Sequence, residues 1–163
     1  MGNIIISDRS LACMIAELSR YPNCETGGLL IGTRDKGNIS IIESTDAGMC
    51  AMHELGRVVI DIQYSKHLMD TVSDIYKEKM YLLGIWHKHN HDFNPPFSID
   101  DHECHEMLRK QLKNDIVSVL FQKKQDDEYV MRVFRYCHKK CLIEEEFEVI
   151  ELSRLVSYRF LGD

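Results

Sequence analysis

Hydrophobic residues along the chain switch between two spacings, and the switches predict short strands interleaved with three helices. Asn3 to Ile6 reads as an apolar strand. Ser7 or Asp8 then caps a helix in which Leu11, Met14, Ile15 and Leu18 follow the i, i+3, i+4, i+7 rule, with Pro22 just beyond its end. Leu29 to Gly32 is too short and too apolar for anything but a buried strand. The turn Asp35-Lys36-Gly37 leads from it into Ile39 to Glu43, which predicts an antiparallel hairpin. Residues 45 to 56 read as a loop punctuated by Gly48 and Gly56, and Val58 to Ile60 as another strand. Asp61 caps a second helix with Tyr64, Leu68, Val72 and Ile75 or Tyr76 on its apolar face, ending near Lys79. Met80 to Ile85 reads as a buried strand that continues to His89. Ser98 is the N-cap of a third helix carrying Met107, Leu108 and Leu112. Ile116 to Phe121 and Tyr129 to Tyr136 are strands joined by a polar turn from Gln122 to Glu128. The tail from Leu142 to Phe160 mixes apolar residues with glutamates, and its second half reads as strand or helix.

Length and composition limit the function classes. With 163 residues the chain is a single domain over 1–163 with room for a real core. A formal charge of -6 argues against a general nucleic-acid binder, because phosphate binding needs an excess of Lys and Arg. No apolar stretch approaches the ~20 residues that span a bilayer, and no signal-peptide pattern opens the chain. Met1-Gly2 starts like a myristoylation signal, but Ile6 stands where that signal wants Ser or Thr. The expectation is a soluble cytoplasmic protein with no membrane partner, whose six cysteines are reduced. Cys13 falls on the apolar side of the first helix and acts as a small hydrophobe. Cys137-His138-Lys139-Lys140-Cys141 groups two thiols with an imidazole, but no second half-site of matching spacing exists elsewhere.

The chemistry gathers in Gly84-Ile85-Trp86-His87-Lys88-His89 and the loop that follows through Pro95-Pro96 to Ser98-Ile99-Asp100-Asp101. Side chains alternate faces along a strand, so His87 and His89 point the same way about 7 Å apart and can converge on one ion. Hydrolytic zinc sites use three protein ligands from His and carboxylates and leave a fourth position open. Asp100 and Asp101 each offer the third ligand. Asp101 would lie in the first turn of the Ser98-capped helix, beside the end of the histidine strand. Glu25 stands at the entrance of the Leu29 strand, next to Gly27 and Gly28, where bare backbone allows a tight turn or a close approach.

Taken together, Glu25-Thr26-Gly27-Gly28-Leu29-Leu30-Ile31-Gly32, the Gly-Ile-Trp-His-Lys-His run and Ser98-Ile99-Asp100-Asp101 resemble the JAMM metalloproteases of the MPN (JAB) domain family, especially its bacterial branch. That family has a glutamate before an apolar Gly-rich strand, a His-x-His pair after a Gly-x-Trp strand, and a Ser-x-x-Asp. The likeness spans roughly residues 1 to 136, with 137–163 as a C-terminal extension of the same domain. It implies an α/β fold, a mixed, mostly antiparallel sheet flanked by helices. It also implies a zinc (Zn2+) isopeptidase or peptidase acting after the C-terminus of ubiquitin or a ubiquitin-like protein. Carried over residue by residue, His87, His89 and one aspartate would hold zinc, with water completing the site. Glu25 would take and return the water's proton, and Ser98 would donate to the oxyanion.

Two features depart from the family pattern. Asn90 follows the second histidine where the family usually has Pro, and eight residues rather than seven separate His89 from Ser98. Asp101 keeps the Ser-x-x-Asp spacing and Asp100 keeps the distance from His89. Asp101 is preferred, because a loop absorbs an insertion more easily than the first turn of a helix. His91, His102 and His105 are read as surface or supporting residues. The leading expectation is deconjugation or precursor maturation of a ubiquitin-like protein, with activating and conjugating enzymes as further partners and an extended peptide added to a sheet edge. The alternatives are a non-catalytic MPN scaffold that binds partner proteins and a small peptidase acting on a carrier-protein C-terminus. A zinc nucleobase deaminase is excluded by the missing Pro-Cys-x-x-Cys signature.

Overall fold

The structure, a computed structural model, describes residues 2–91, 95–124, 128–137 and 141–159. The middle of the Cys137 to Cys141 group, part of the 90–97 loop, the centre of the 122–128 turn and the end of the tail therefore lie outside the described residues. The rest is a mixed α/β arrangement of a curled sheet and three helices.

β1 (Ile4–Ser7) leads straight into α1 (Asp8–Arg20), whose N-cap is the Ser7 side chain accepting from the Ser10 amide. β2 (Gly27–Asp35) and β3 (Asn38–Ser44) form the expected antiparallel hairpin. The stretch read as a plain loop contains β4 (Met52–His53), which pairs with β5 (Val58–Val59) in a small ribbon apart from the main sheet. Two-residue strands carry too few side chains to show a period, which is why the loop reading missed one. α2 (Ile62–Ile75) is capped by Asp61 and stops before Lys79, because Tyr76 turns into a bridge with Tyr158. β6 (Tyr81–His89), α3 (Ile99–Leu112), β7 (Ile116–Lys123) and β8 (Tyr129–Cys137) follow. The tail forms β9 (Cys141–Glu145), β10 (Phe147–Ile150) and a 3-10 turn, Leu152–Arg154.

The main sheet has the order β10-β1-β3-β2-β6-β7-β8-β9. Only Glu146 separates β9 from β10, yet these strands sit at opposite ends of that order. The sheet must therefore curl until its two edges approach. Arg135 on β8 marks the approach: it pairs with Glu145 at 2.6 Å and donates to the carbonyls of Gly2 at 3.2 Å and Gly37 at 3.5 Å.

Curling divides the core. Inside, Met14 and Leu18 of α1 pack with Ile6, Leu30, Trp86, Val119 and Val133. Outside, α2 covers Ile31 and Ile42 together with the tail residues Leu152 and Val156, and α3 covers Ile116 and Tyr136 through Leu108. Ile15 and Met107 were expected on buried faces, but they are 48% and 55% exposed. Each helix meets the sheet along a stripe narrower than its full set of apolar residues.

Candidate metal centre

β6 lies inside the sheet, antiparallel to β2 and parallel to β7. Leu83 and Trp86, on either side of an irregularity at Gly84, both reach the inner core, while beyond Trp86 the alternation turns His87 and His89 to the outer face towards the start of α3. Two glycines make this possible. At Gly84 a Cβ would lie 1.8 Å from the Val117 carbonyl oxygen, and the pairing of β6 with β2 slips at this level. At Gly28 a Cβ would lie 2.1 Å from the Thr45 carbonyl oxygen and 2.7 Å from the Trp86 indole nitrogen. The bare backbone lets Trp86 donate to Thr45 at 2.8 Å, which anchors the strand one residue before His87.

The third member of the cluster comes from α3. Ser98 and Asp101 form a capping box, so the Asp101 carboxylate is turned back over the helix start. That places it 3.4 Å from the Nε2 atoms of both His87 and His89, one oxygen facing each ring, while the two Nε2 atoms are 3.1 Å apart. A tetrahedron of ligands about 2.05 Å from zinc has edges of about 3.3 Å. The spacing of His87, His89 and Asp101 therefore fits a single ion, and the donor set is one that such ions accept.

Electrostatics prepare two of these three groups for ligation. Burial pushes the His87 pKa down to about 3, so its imidazole is neutral and free to donate a lone pair. Burial acts to raise the pKa of Asp101, but the hydrogen bond with His89, the proximity of His87 and the donors of Ser98 outweigh it and hold the carboxyl well below its ordinary range. Asp101 is thus anionic beside the neutral imidazole of His87.

Glu25 lies on the same face. β2 pairs Gly27 with His87, and the Lys88 amide donates to the Thr26 carbonyl at 2.9 Å, so the pairing continues and sets Glu25 opposite His89. Its carboxyl lines a cavity of about 810 Å³ that also holds His87, His89, Ser98 and Asp101. Burial raises the Glu25 pKa to about 7, with Asp101 adding to the rise and His89 and Lys88 opposing it. A carboxylate poised there can accept a proton at neutral pH and give it back.

The other expected residues fall apart from this group. Asp100 lines the cavity but is exposed and outside the His-His-Asp cluster. His91 is exposed. His105 departs from a surface reading: it is fully buried, shares a hydrogen bond of 2.9 Å with the Ser118 hydroxyl and stacks on Tyr136. Its position four residues after Asp101 placed it on the inward side of α3, a signal the sequence did contain. Two participants were missed. Lys88 is fully buried between the two histidines, on the opposite face of β6, and its ammonium donates to the Tyr21 carbonyl. His53 on β4 contacts the backbone of Glu25. Cys13, Cys24, Cys50, Cys104, Cys137 and Cys141 all carry free thiols. Among the described residues no helix is long and apolar enough to cross a membrane.

Compared with protein-family models and with curated proteins, the sequence matches none. Among solved structures, the fold is similar to the solution structure of protein DSY2949 from Desulfitobacterium hafniense. The TM-score is 0.65 at 18% identity, over 91% of this chain and 93% of that one. This likeness extends to the fold alone.

Proposed function

We propose that the chain is a zinc-dependent isopeptidase or peptidase of the JAMM type, which cleaves after the C-terminus of ubiquitin or a ubiquitin-like protein. The observation that carries the reading is the convergence, in one cavity, of a His87-His89-Asp101 triangle of zinc-ligand dimensions and a carboxyl, Glu25, whose pKa lies near 7. Bound zinc would supply Lewis-acid polarisation and an acidified water. The protein's own residues do the rest.

Glu25 accepts the proton of the attacking water and delivers it to the leaving amine. A base with a pKa near the working pH serves both transfers. Ser98 donates to the oxyanion of the tetrahedral intermediate. Its hydroxyl donates to Asp101 Oδ2 at 2.7 Å, and its backbone amide donates to the same oxygen at 2.7 Å. The hydroxyl proton can therefore turn towards a substrate while the amide keeps the carboxylate in place. Apolar Leu55, Val58, Ile60 and Phe97 line the same cavity and offer apolar contacts to an extended peptide tail. Partners of this kind would be a ubiquitin-like protein, its conjugates, and the enzymes that activate and attach it.

The test is turnover on a panel of ubiquitin-fold proteins, each extended past its C-terminal residue by a peptide or an isopeptide-linked lysine. Cleavage at the junction by wild-type protein with zinc, and none by Glu25→Gln with zinc still bound, supports the reading. Full activity in Glu25→Gln removes it.

A further inference from the structure

The ribbon of β4 and β5 does more than border the cavity. The Glu25 amide donates to the Glu54 carbonyl at 2.7 Å, and the Glu25 carbonyl lies 3.1 Å from His53 Nδ1. Both backbone groups of Glu25 are thus held by two consecutive residues of the ribbon. A carbonyl can only accept, so His53 Nδ1 must carry the proton.

His53 is fixed in turn. Its ring lies flat on Tyr21, with centroids 3.6 Å apart and planes 13° from parallel. The Tyr21 carbonyl accepts from the buried Lys88 ammonium. Asn90, the residue after His89, donates to the Asn23 carbonyl at 3.3 Å and the Leu55 carbonyl at 3.0 Å. The two residues that flank His89, Lys88 within β6 and Asn90 just past its end, therefore grip both the segment leading to Glu25 and the ribbon.

We infer that His53 is a positioning residue for Glu25, and that the hydrogen bond from its Nδ1–H to the Glu25 carbonyl sets the carboxyl's place relative to His87, His89 and Asp101. The inference rests on the proposed role of Glu25 as the base. It adds a consequence: Leu55 and Val58 on the same ribbon line the cavity, so an occupant that presses on them also presses on the base. Positioning of this sort matters because a displacement of about 1 Å at a reacting group can cost on the order of 100-fold in rate.

Three readouts test it. Nitrogen-15 NMR of the imidazoles at mildly alkaline pH should show neutral His53 protonated on Nδ1, and a proton on Nε2 would overturn the assignment. His53→Phe keeps a ring on Tyr21 and loses the donor, whereas His53→Asn keeps a donor near the Nδ1 position and loses most of the ring. With zinc content and KM unchanged, His53→Phe should lower kcat by roughly 10- to 100-fold and speed hydrogen exchange at the Glu25 amide. His53→Asn should recover most of both. Wild-type kcat and exchange in His53→Phe would sink the proposal. If the wild-type protein cleaves none of the panel, the functional reading fails on its own. The tautomer and the Glu25 exchange rate then still decide whether the clamp exists.

Discussion

Ser98 and Asp101 hold one another by three hydrogen bonds: the Ser98 amide and hydroxyl both donate to Asp101 Oδ2 at 2.7 Å, and the Asp101 amide donates to Ser98 Oγ at 3.2 Å. A device that ordinarily starts a helix here also aims a carboxylate at two imidazoles. Helix capping and ligand orientation share the same atoms.

Asp101→Ala should abolish stoichiometric zinc binding and Asp100→Ala should leave it at about one ion per chain. Metal analysis of untagged protein measures both. Loss on Asp100→Ala with retention on Asp101→Ala would contradict the geometry described above.

Ser98→Ala should weaken metal affinity about 10- to 100-fold, the usual effect of removing a partner that orients a ligand. It should also cost about 1 kcal/mol of stability through the lost cap. Competition with a chelator reads the first effect and denaturant unfolding the second. An affinity equal to wild type would mean that the amide alone orients Asp101.

The Glu25 carboxyl gives the metal-free protein a particular pH dependence. Its folded pKa of about 7 is above the ordinary 4.5, so the folded state binds the proton more tightly than the unfolded state does. Stability should therefore fall as pH rises from about 4.5 to about 7 and level off above, as far as this group governs it. Glu25→Gln should remove that decline and leave the metal-free variant more stable than wild type at pH 8, by on the order of 1 kcal/mol. Thermal unfolding of the two proteins at pH 5 and pH 8 makes the comparison. An equal pH response in both would place the Glu25 pKa at an ordinary value.

Gly28→Ala should destabilise the fold by about 2 kcal/mol or more, because the added Cβ meets a backbone carbonyl that cannot retreat. It should also loosen the strand that carries His87, so zinc affinity should drop with it. Chemical denaturation and metal titration of this variant should move together.

Much of the site was legible because its residues sit at strand and helix positions with strict periods. The i, i+2 spacing fixed the common face of His87 and His89, and the cap at Ser98 fixed Asp101 in the first turn of α3. Asp100 stayed open as an alternative because the count through the loop favoured it. The capping geometry brings Asp101, and not Asp100, into the cluster with His87 and His89, and loop length carries no such geometry. The clamp on Glu25 was not legible. His53 belongs to a two-residue strand, and the carbonyls held by Lys88 and Asn90 are backbone groups that leave no trace in a side-chain pattern. The curl was hidden as well. The mixture of apolar residues and glutamates in the tail does not tell that one residue, Glu146, carries the chain from one edge of the sheet to the other.

That crossing sets when the sheet can close. β1 pairs on one side with β10, with Ile4 against Phe147, so the first strand of this sheet in chain order waits for its last before both of its edges are satisfied. Until residue 150 has left the ribosome, β1 presents an open edge of the kind that recruits other chains. Contacts this distant in sequence also slow folding. Chains cut short within β9 or β10 should therefore accumulate as aggregates even though they contain every residue of the candidate metal centre.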